Sequence, residues 1–342
     1  MHKGKPQVDS RAMLEAPITR NFSHTSFQFR CFPELREHRW ILALLFFLCF
    51  LSVLLGNSVL VYVIRRVENL HSPMYFLICM LCIVDILVVT TILPNMLLTL
   101  LFNWNHISLA GCLIQMFFTH FLSSLESTLL MAMALDRYVA ICRPLHYMDI
   151  MNSSMCLRLL LFTLLRSVSI MSTLVVLASS LWFCHSNTIQ HCYCDHMALV
   201  KLACVSTEKN HAAGLAVIIC FVGVDIPIIF FSYMKILNVV LRAAAASEER
   251  LKAFHTCTTH LIVMMCFYLV GTITFLSGGL NIPIATGINT LMGVMYILIP
   301  ATVNPIIYGV RTKEIRCGLQ RLFKLRARNV WSLKVSPGKG QM

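Results

Sequence analysis

Four ionisable residues lie in the middle of long apolar stretches, where a charged side chain is expected to have either an interaction partner or a function. They are Asp85, Glu126, Arg166 and Asp225. If these stretches cross a bilayer, each charge costs at least about 2.5 kcal/mol and should face protein. We interpret Arg166 and Asp225 as structural.

Asp85 and Glu126, together with Asn304, offer oxygen atoms of the kind that hard cations prefer. This set is a candidate sodium site. The two carboxyl groups could instead share one proton without a metal, because like charges in apolar surroundings raise each other's proton affinity. Both interpretations are open at this point, and no other cofactor is expected.

A stripe of hydroxyl and imidazole groups precedes the Asp136-Arg137 pair. A rotation of about 100° per residue places Thr119 and Ser123 on the helix face of Glu126, with His120, Ser124 and Ser127 beside it. These groups either line a cavity or hydrogen-bond neighbouring helices, which is the commoner role of Ser and Thr in membranes.

Two later apolar runs add Tyr268, Thr272, Phe275 and Ile297 without a Lys, Arg, Asp or Glu at the same level. A cavity with such a lining favours a small, neutral or weakly polar ligand. Lys201, in an outer loop, is the cation that could reach it. The predicted ligand contacts are Thr119, His120, Ser123, Ser124, Tyr268, Thr272, Phe275 and Ile297.

The elements that carry these groups are predicted to be membrane helices. Hydrophobic residues make up 58% of the chain and charged residues 13%, whereas about a quarter of the residues in soluble domains are charged. Mean hydropathy is +0.75. Seven apolar runs reach the roughly 20 residues that a span requires. They cover residues 40–64, 74–102, 112–135, 156–182, 212–233, 256–280 and 284–310.

The distribution of Lys and Arg predicts the orientation. Basic residues follow the first, third and fifth runs and fill the C-terminal tail, which places that tail inside and the N-terminus outside. Arg30, Arg36 and Arg39, just before the first run, count against this orientation. The net charge of +13 is therefore a membrane signal, and nucleic acid is not an expected partner.

The expected organisation has three parts. Residues 1–39 form an extracellular tail with a glycosylation acceptor at Asn21, residues 40–310 form the seven-helix domain, and residues 311–342 form a cytoplasmic amphipathic helix and tail. The segment after residue 311 either lies on anionic membrane lipid or is a solvated basic tail. Cys317 is either palmitoylated or an unmodified thiol.

Four outer cysteines are candidates for disulfides because translocated loops are oxidising. We predict one bridge from Cys112 to Cys194 and another from Cys184 to Cys204, with Cys192 left over. The alternative is that all of them are free thiols.

Several stretches in a fixed order resemble the rhodopsin-like seven-helix receptors, and specifically the olfactory receptors. They are GN at 56–57, HSPMYFLICMLCIVDI at 71–86, MAMALDRYVAICRPLHY at 131–147, SYMKIL at 232–237, KAFHTCTTHL at 252–261 and NPIIYGVRTKEIR at 304–316. The outer loop, with HCYCDH at 191–196 and KLAC at 201–204, is similar to the fish-like class of these receptors.

The resemblance implies a multi-pass plasma-membrane receptor through which an odorant activates a stimulatory heterotrimeric G protein and raises cAMP. By motif matching, Arg137 would leave Asp136 and contact the G protein, while Tyr308 would swing inward. Tyr268 would sense the ligand. The residues assigned to coupling and switching are Asp136, Arg137, Tyr138, Asn304, Pro305 and Tyr308.

Other functions are weaker. A non-olfactory chemoreceptor of the same fold is the first alternative. A transporter is a distant one, because no internal repeat is apparent. An enzyme is not expected, since no nucleophile–base set or metal-ligand spacing occurs.

Overall fold

The computed structural model of the protein describes residues 23–242, 248–279 and 285–322, so Asn21 lies outside the described residues. Seven long helices form a bundle. Their bounds are Arg39–Arg66 (α1), Pro73–Phe102 (α2), Leu109–Cys142 (α3), Ser153–Ser179 (α4), Glu208–Cys220 continuing as Ile226–Arg242 (α5), Glu248–Gly279 (α6) and Thr286–Arg311 (α7). A further helix, α8, covers residues 313–322.

Short elements connect these helices. Three-residue or longer 3-10 turns lie at Pro33–His38, Glu68–Leu70 and Pro144–His146, and short α-helices lie at Tyr147–Ile150 and His196–Val200. The strands are Ser26–Phe29 (β1), His106–Ser108 (β2) and Thr188–Ile189 (β3). Phe221–Asp225 forms one π-helical stretch between the two parts of α5.

Six helices of the described chain are long and apolar enough to cross a membrane by length and composition. Helix α3 is the seventh, and polar side chains in its middle lower its hydropathy. With 34 residues, it is nevertheless the longest single helix described. It packs against α2, α4 and α5, so its polar groups face protein and not lipid.

Helix α3 is longer than its apolar run. Ser108 caps its start by accepting a hydrogen bond from the Gly111 amide at 3.1 Å, and the helix ends only at Cys142. The predicted apolar run, residues 112–135, therefore lies within a longer helix. A helix end in water does not need apolar side chains, so hydropathy underestimates its length.

Close packing joins α1 to α7. A Cβ atom on Gly56 would lie 3.1 Å from the Pro305 ring, tighter than most Cβ contacts. Next to it, the Asn57 side-chain amide donates to the Ala301 carbonyl at 3.0 Å. The GN pair of the first span therefore holds the two helices together where α7 carries its second proline.

A small sheet covers the outer end of the bundle. Strand β1, from the N-terminal tail, lies between β2 and β3, antiparallel to β2 and parallel to β3. Phe27 of β1 is fully buried and meets the Phe183 ring edge-on at 5.4 Å. The last part of the predicted tail is thus part of the fold.

Three disulfides fasten this outer layer. Cys112 bonds to Cys194 and Cys184 to Cys204, the pairs predicted from the sequence. Cys192 bonds to Cys31, so the prediction that it is left over is wrong. Because Cys31 follows β1 closely, this bridge fixes the tail to the same loop that carries β3.

Candidate functional site

A cavity of about 750 Å³ lies in the outer half of the bundle, beneath the disulfide-linked loop. Helix α3 forms one wall, α5, α6 and α7 form others, and the loop forms the roof. Seven of the eight predicted ligand contacts line this cavity, namely Thr119, His120, Ser123, Ser124, Tyr268, Thr272 and Ile297. Phe275 lies outside the described side chains.

Three imidazoles meet at the roof of the cavity. His120 comes from α3, and His191 and His196 come from the loop. Each carries a buried ring nitrogen without a hydrogen-bond partner in the described structure: Nε2 of His120, Nδ1 of His191 and Nε2 of His196. Unpartnered buried polar atoms are costly, so these nitrogens are suited to hydrogen-bond a ligand.

The loop reaches the cavity because α7 makes room for it. A Cβ atom on Gly293 would lie 2.8 Å from Nε2 of His191 and 3.0 Å from the Tyr193 hydroxyl. His191 and Tyr193 pack edge-on with ring centroids 4.3 Å apart. Only glycine leaves space for this pair against α7.

The charge state of the roof follows from burial. Burial lowers the pKa of the His191 imidazole and lowers that of His196 to about 4. Burial alone would raise the pKa of Asp195, but attraction by His191 and His120 and the hydrogen bond from the Ala198 amide lower it. At neutral pH, Asp195 is therefore ionised, and each of the two loop imidazoles is harder to protonate than a free imidazole.

Acidification is expected to destabilise the receptor through His196. An imidazole normally has a pKa of about 6.5, whereas that of His196 in the folded receptor is about 4. Between these two pH values, His196 is protonated in the unfolded chain but not in the folded one. The contribution of neutral His196 to the free energy of unfolding is complete above pH 6.5 and is lost as the pH falls. At pH 5 the loss is about 2 kcal/mol. Thermal melting of purified receptor at pH 7 and pH 5 measures it.

Two variants test this assignment. His196→Gln should show a smaller loss of melting temperature between the two pH values than the wild type. His106→Gln removes an exposed strand histidine and should keep the wild-type pH dependence. Equal pH dependence in His196→Gln and the wild type would show that another group is responsible. His120, Asp195 and His211 are the titratable neighbours of His196.

A buried polar network forms the floor of the cavity. The Tyr268 hydroxyl of α6 lies 2.9 Å from the Ser127 hydroxyl of α3, which donates to Asp225 at 2.7 Å. Arg166 of α4 donates to the other oxygen of Asp225 at 2.8 Å and to the Cys220 carbonyl at 3.0 Å. The network therefore joins α3, α4, α5 and α6, and it includes Tyr268, which lines the cavity.

The carboxyl pair lies deeper in the bundle. Both Asp85 and Glu126 are buried, and Asp85 accepts a hydrogen bond from the Asn304 side chain at 3.0 Å. One oxygen on each of Asp85, Glu126 and Asn304 is buried without a partner in the described residues. The donor set fits a small cation, and equally fits a proton.

The inner end holds the predicted switch residues. Arg137 donates from Nε to Asp136 at 3.0 Å, and the Tyr147 hydroxyl donates to the second oxygen of the same carboxylate at 2.8 Å. On the other side, the Tyr308 hydroxyl lies 3.4 Å from Nδ1 of His260 on α6. Tyr138 is half-buried and packs against the core.

Several site residues escaped prediction. His191 and Asp195 lie in an irregular part of the outer loop, and His196 begins the short helix that follows, so helical periodicity could not place these three side chains. Ser127 stood beside the polar stripe of α3, yet its bond to Asp225 required the fold. The sequence signal that could have found the loop residues is the motif HCYCDH at 191–196, which lies between Cys184 and Cys204 and is dense in polar side chains.

Comparison with known proteins identifies the family. A family model described as olfactory receptor matches residues 46–326. The chain belongs to the olfactory receptor family. Among curated olfactory receptors, 51E2 of Rattus norvegicus is 38% identical over 89% of this chain and 95% of its own length. Olfactory receptor 52K1 of Homo sapiens is 39% identical over 84% of this chain and 91% of its own.

The fold has a solved counterpart. The crystal structure of squid rhodopsin matches with a TM-score of 0.67 and 17% identity, covering 85% of this olfactory receptor and 86% of that chain. The seven-helix, rhodopsin-like fold and the multi-pass plasma-membrane location predicted from the sequence are confirmed. Olfactory receptors are G-protein-coupled receptors and not enzymes, as expected.

Proposed function

We propose that this olfactory receptor binds a small, neutral or weakly polar odorant in the outer cavity and activates a stimulatory heterotrimeric G protein that raises cAMP. The observation that carries the proposal is the cavity itself: it has a volume of about 750 Å³, lies beneath a disulfide-linked roof, and is lined mainly by apolar side chains with a few convergent hydroxyl and imidazole groups.

The charges around the cavity support a neutral ligand. Besides histidines, the charged residues in its lining are Asp195 and Lys201, which have opposite signs. Asp195 carries a lowered pKa and would repel a carboxylate, while Lys201 is exposed to water. A ligand that hydrogen-bonds to neutral imidazoles avoids both the repulsion and the cost of burying its own charge.

Coupling to the inner end follows the same rigid helix. Ser123 and Arg137 are both on α3, about 20 Å apart at 1.5 Å per residue. A ligand shifts the balance only if it binds one state more tightly. Its contacts with Tyr268 reach α5 through Ser127 and Asp225, and so give the outer cavity a hydrogen-bonded path that joins α6, α3 and α5.

A ligand screen tests the proposal. Transfected cells are exposed to a panel of volatile neutral compounds and short-chain acids, with cAMP as the readout and untransfected cells as the control. We expect responses to neutral compounds. Activation by acids alone would overturn the neutral-ligand part, and responses through a different second messenger would overturn the G-protein assignment.

We further propose that Asp85, Glu126 and Asn304 hold a sodium ion in the inactive state. Their unpartnered buried oxygens supply ligands of suitable chemistry. Replacing sodium by a large organic cation should increase agonist affinity in the wild type, and Glu126→Gln should abolish that sodium effect. A wild-type affinity independent of sodium would favour the shared proton.

A further inference from the structure

A second depression lies on the membrane face of the bundle, between the inner halves of α1 and α2. It has a volume of about 580 Å³ and is lined by Ser58, Val61, Tyr62 and both arginines at the end of α1, with Ile83 and Ile86 opposite. It shares no lining residue with the outer cavity, so a site here is independent of the proposed function.

The α1 side of this groove is one continuous stripe. Residues 58, 62 and 66 are four apart and therefore follow one face of the helix. From Ser58 to Arg66 the stripe spans about 12 Å at 1.5 Å per residue. The hydrocarbon core is about 30 Å thick, so the groove has nearly the depth of one leaflet.

The inner end of the groove is positively charged. Arg65 and Arg66 are exposed, and the Arg66 guanidinium lies 5.6 Å from the centroid of the Tyr62 ring, which is itself 54% exposed. The ion pairs among the described residues are Arg137–Asp136 and Arg166–Asp225. Neither arginine of the groove therefore has a carboxylate partner within that part of the chain.

We propose that the groove binds one anionic phospholipid of the inner leaflet, with its headgroup on Arg65 and Arg66 and an acyl chain along Val61, Ile83 and Ile86. The charge selects an acidic headgroup, and the apolar walls below it select a molecule with a hydrocarbon tail. A soluble phosphate compound would leave those walls exposed. Arginine is suited to this role because its planar guanidinium binds phosphate with two hydrogen bonds.

Native mass spectrometry of the purified full-length receptor tests the site, with phosphatidylserine and phosphatidylcholine of identical chains as the probes. We expect retention of phosphatidylserine in preference to phosphatidylcholine. Arg65→Gln with Arg66→Gln should weaken phosphatidylserine binding about thirtyfold, because each arginine near an anionic surface contributes roughly fivefold. Phosphatidylcholine retention should not change.

Two further variants separate the site from general charge and from misfolding. Arg158→Gln removes an exposed basic residue of α4 outside the groove and should leave phosphatidylserine binding at the wild-type level. Ser58→Trp keeps both arginines but fills the groove, and should also weaken phosphatidylserine binding.

Three results would overturn the proposal. They are unchanged phosphatidylserine retention in the double arginine variant, equal retention of the two lipids by the wild type, and displacement of phosphatidylserine by chainless glycerophosphoserine at equal concentration. The last would mean that the acyl chain contributes nothing.

Discussion

Arg166→Met is expected to lower the free energy of unfolding by about 3–5 kcal/mol, because it leaves the fully buried Asp225 carboxylate without its cation. Arg166 is 9% exposed and also bonds to the Cys220 carbonyl, while its guanidinium lies 4.5 Å from the centroid of the Phe221 ring. Chemical unfolding of the purified receptor in detergent measures the loss.

A matched pair of variants makes the result specific. Arg158→Met removes an exposed arginine two turns earlier on α4 and should change stability by less than about 0.5 kcal/mol. Arg166→Met combined with Asp225→Leu removes both charges and should recover most of the stability. If the double variant is as unstable as the single one, the lost packing of Arg166 and not the orphaned charge explains the effect.

The double variant also addresses function. It removes the acceptor of the Ser127 hydroxyl and so cuts the link between Tyr268 and α5. We expect a receptor that folds and binds odorant yet responds with a reduced maximum. This outcome would change the interpretation of Arg166 and Asp225 from structural to both structural and signalling.

Arg137→Ala is expected to reduce the odorant-stimulated cAMP response at least tenfold at equal surface expression. The proposed contact between the Arg137 side chain and the G protein is a charge-assisted hydrogen bond. The loss of such a bond costs about 1.5–3 kcal/mol. Concentration–response curves in transfected cells, normalised to surface receptor, measure the effect. A full odorant-stimulated cAMP response in Arg137→Ala would show that Arg137 is not part of the switch that couples the receptor to the G protein.

Two neighbouring substitutions serve as controls. Asp136→Asn weakens the acceptor that holds both Arg137 and Tyr147, and should raise basal cAMP about tenfold by destabilising the inactive state. Arg143→Ala removes an exposed arginine just beyond the end of α3 and should leave both basal and stimulated cAMP near wild type.

The sequence was a good guide to the bundle because hydropathy and basic-residue bias act on whole segments. It was also a good guide to the cavity wall on α3, since Thr119, His120 and Ser123 follow from helical rotation alone. Helix ends were less accurate. α3 runs seven residues beyond Leu135 because water tolerates polar residues at helix termini.

The roof of the cavity could not be predicted. β1 pairs with segments about 80 and 160 residues away, and no local pattern specifies such pairing. Cysteine pairing has the same limit: six outer cysteines allow 15 connectivities, and Cys31 stood in what looked like a polar tail. His191, Asp195 and His196 enter the site only because this layer folds over it.

The partnership of Arg166 with Asp225 was also beyond helical rotation. Asp225 ends the π-helical stretch of α5, which has more residues per turn than an α-helix and rotates the following side chains. A period of 3.6 carried from the N-terminal part of α5 through this stretch misplaces Asp225. The division into tail, helix domain and cytoplasmic segment stays a prediction, as does the modification of Cys317.

If an odorant acts from the outer cavity, substitutions at two adjacent residues of α6 should have opposite consequences for signalling. Thr272 lines the cavity, whereas its neighbour Ile273 is 52% exposed on the outside of the bundle. With an agonist from the screen, we predict that Thr272→Trp raises the EC50 for cAMP at least 100-fold while Ile273→Trp stays within threefold of wild type, at equal surface expression and basal cAMP. A wild-type EC50 for Thr272→Trp would show that the odorant does not act from this cavity.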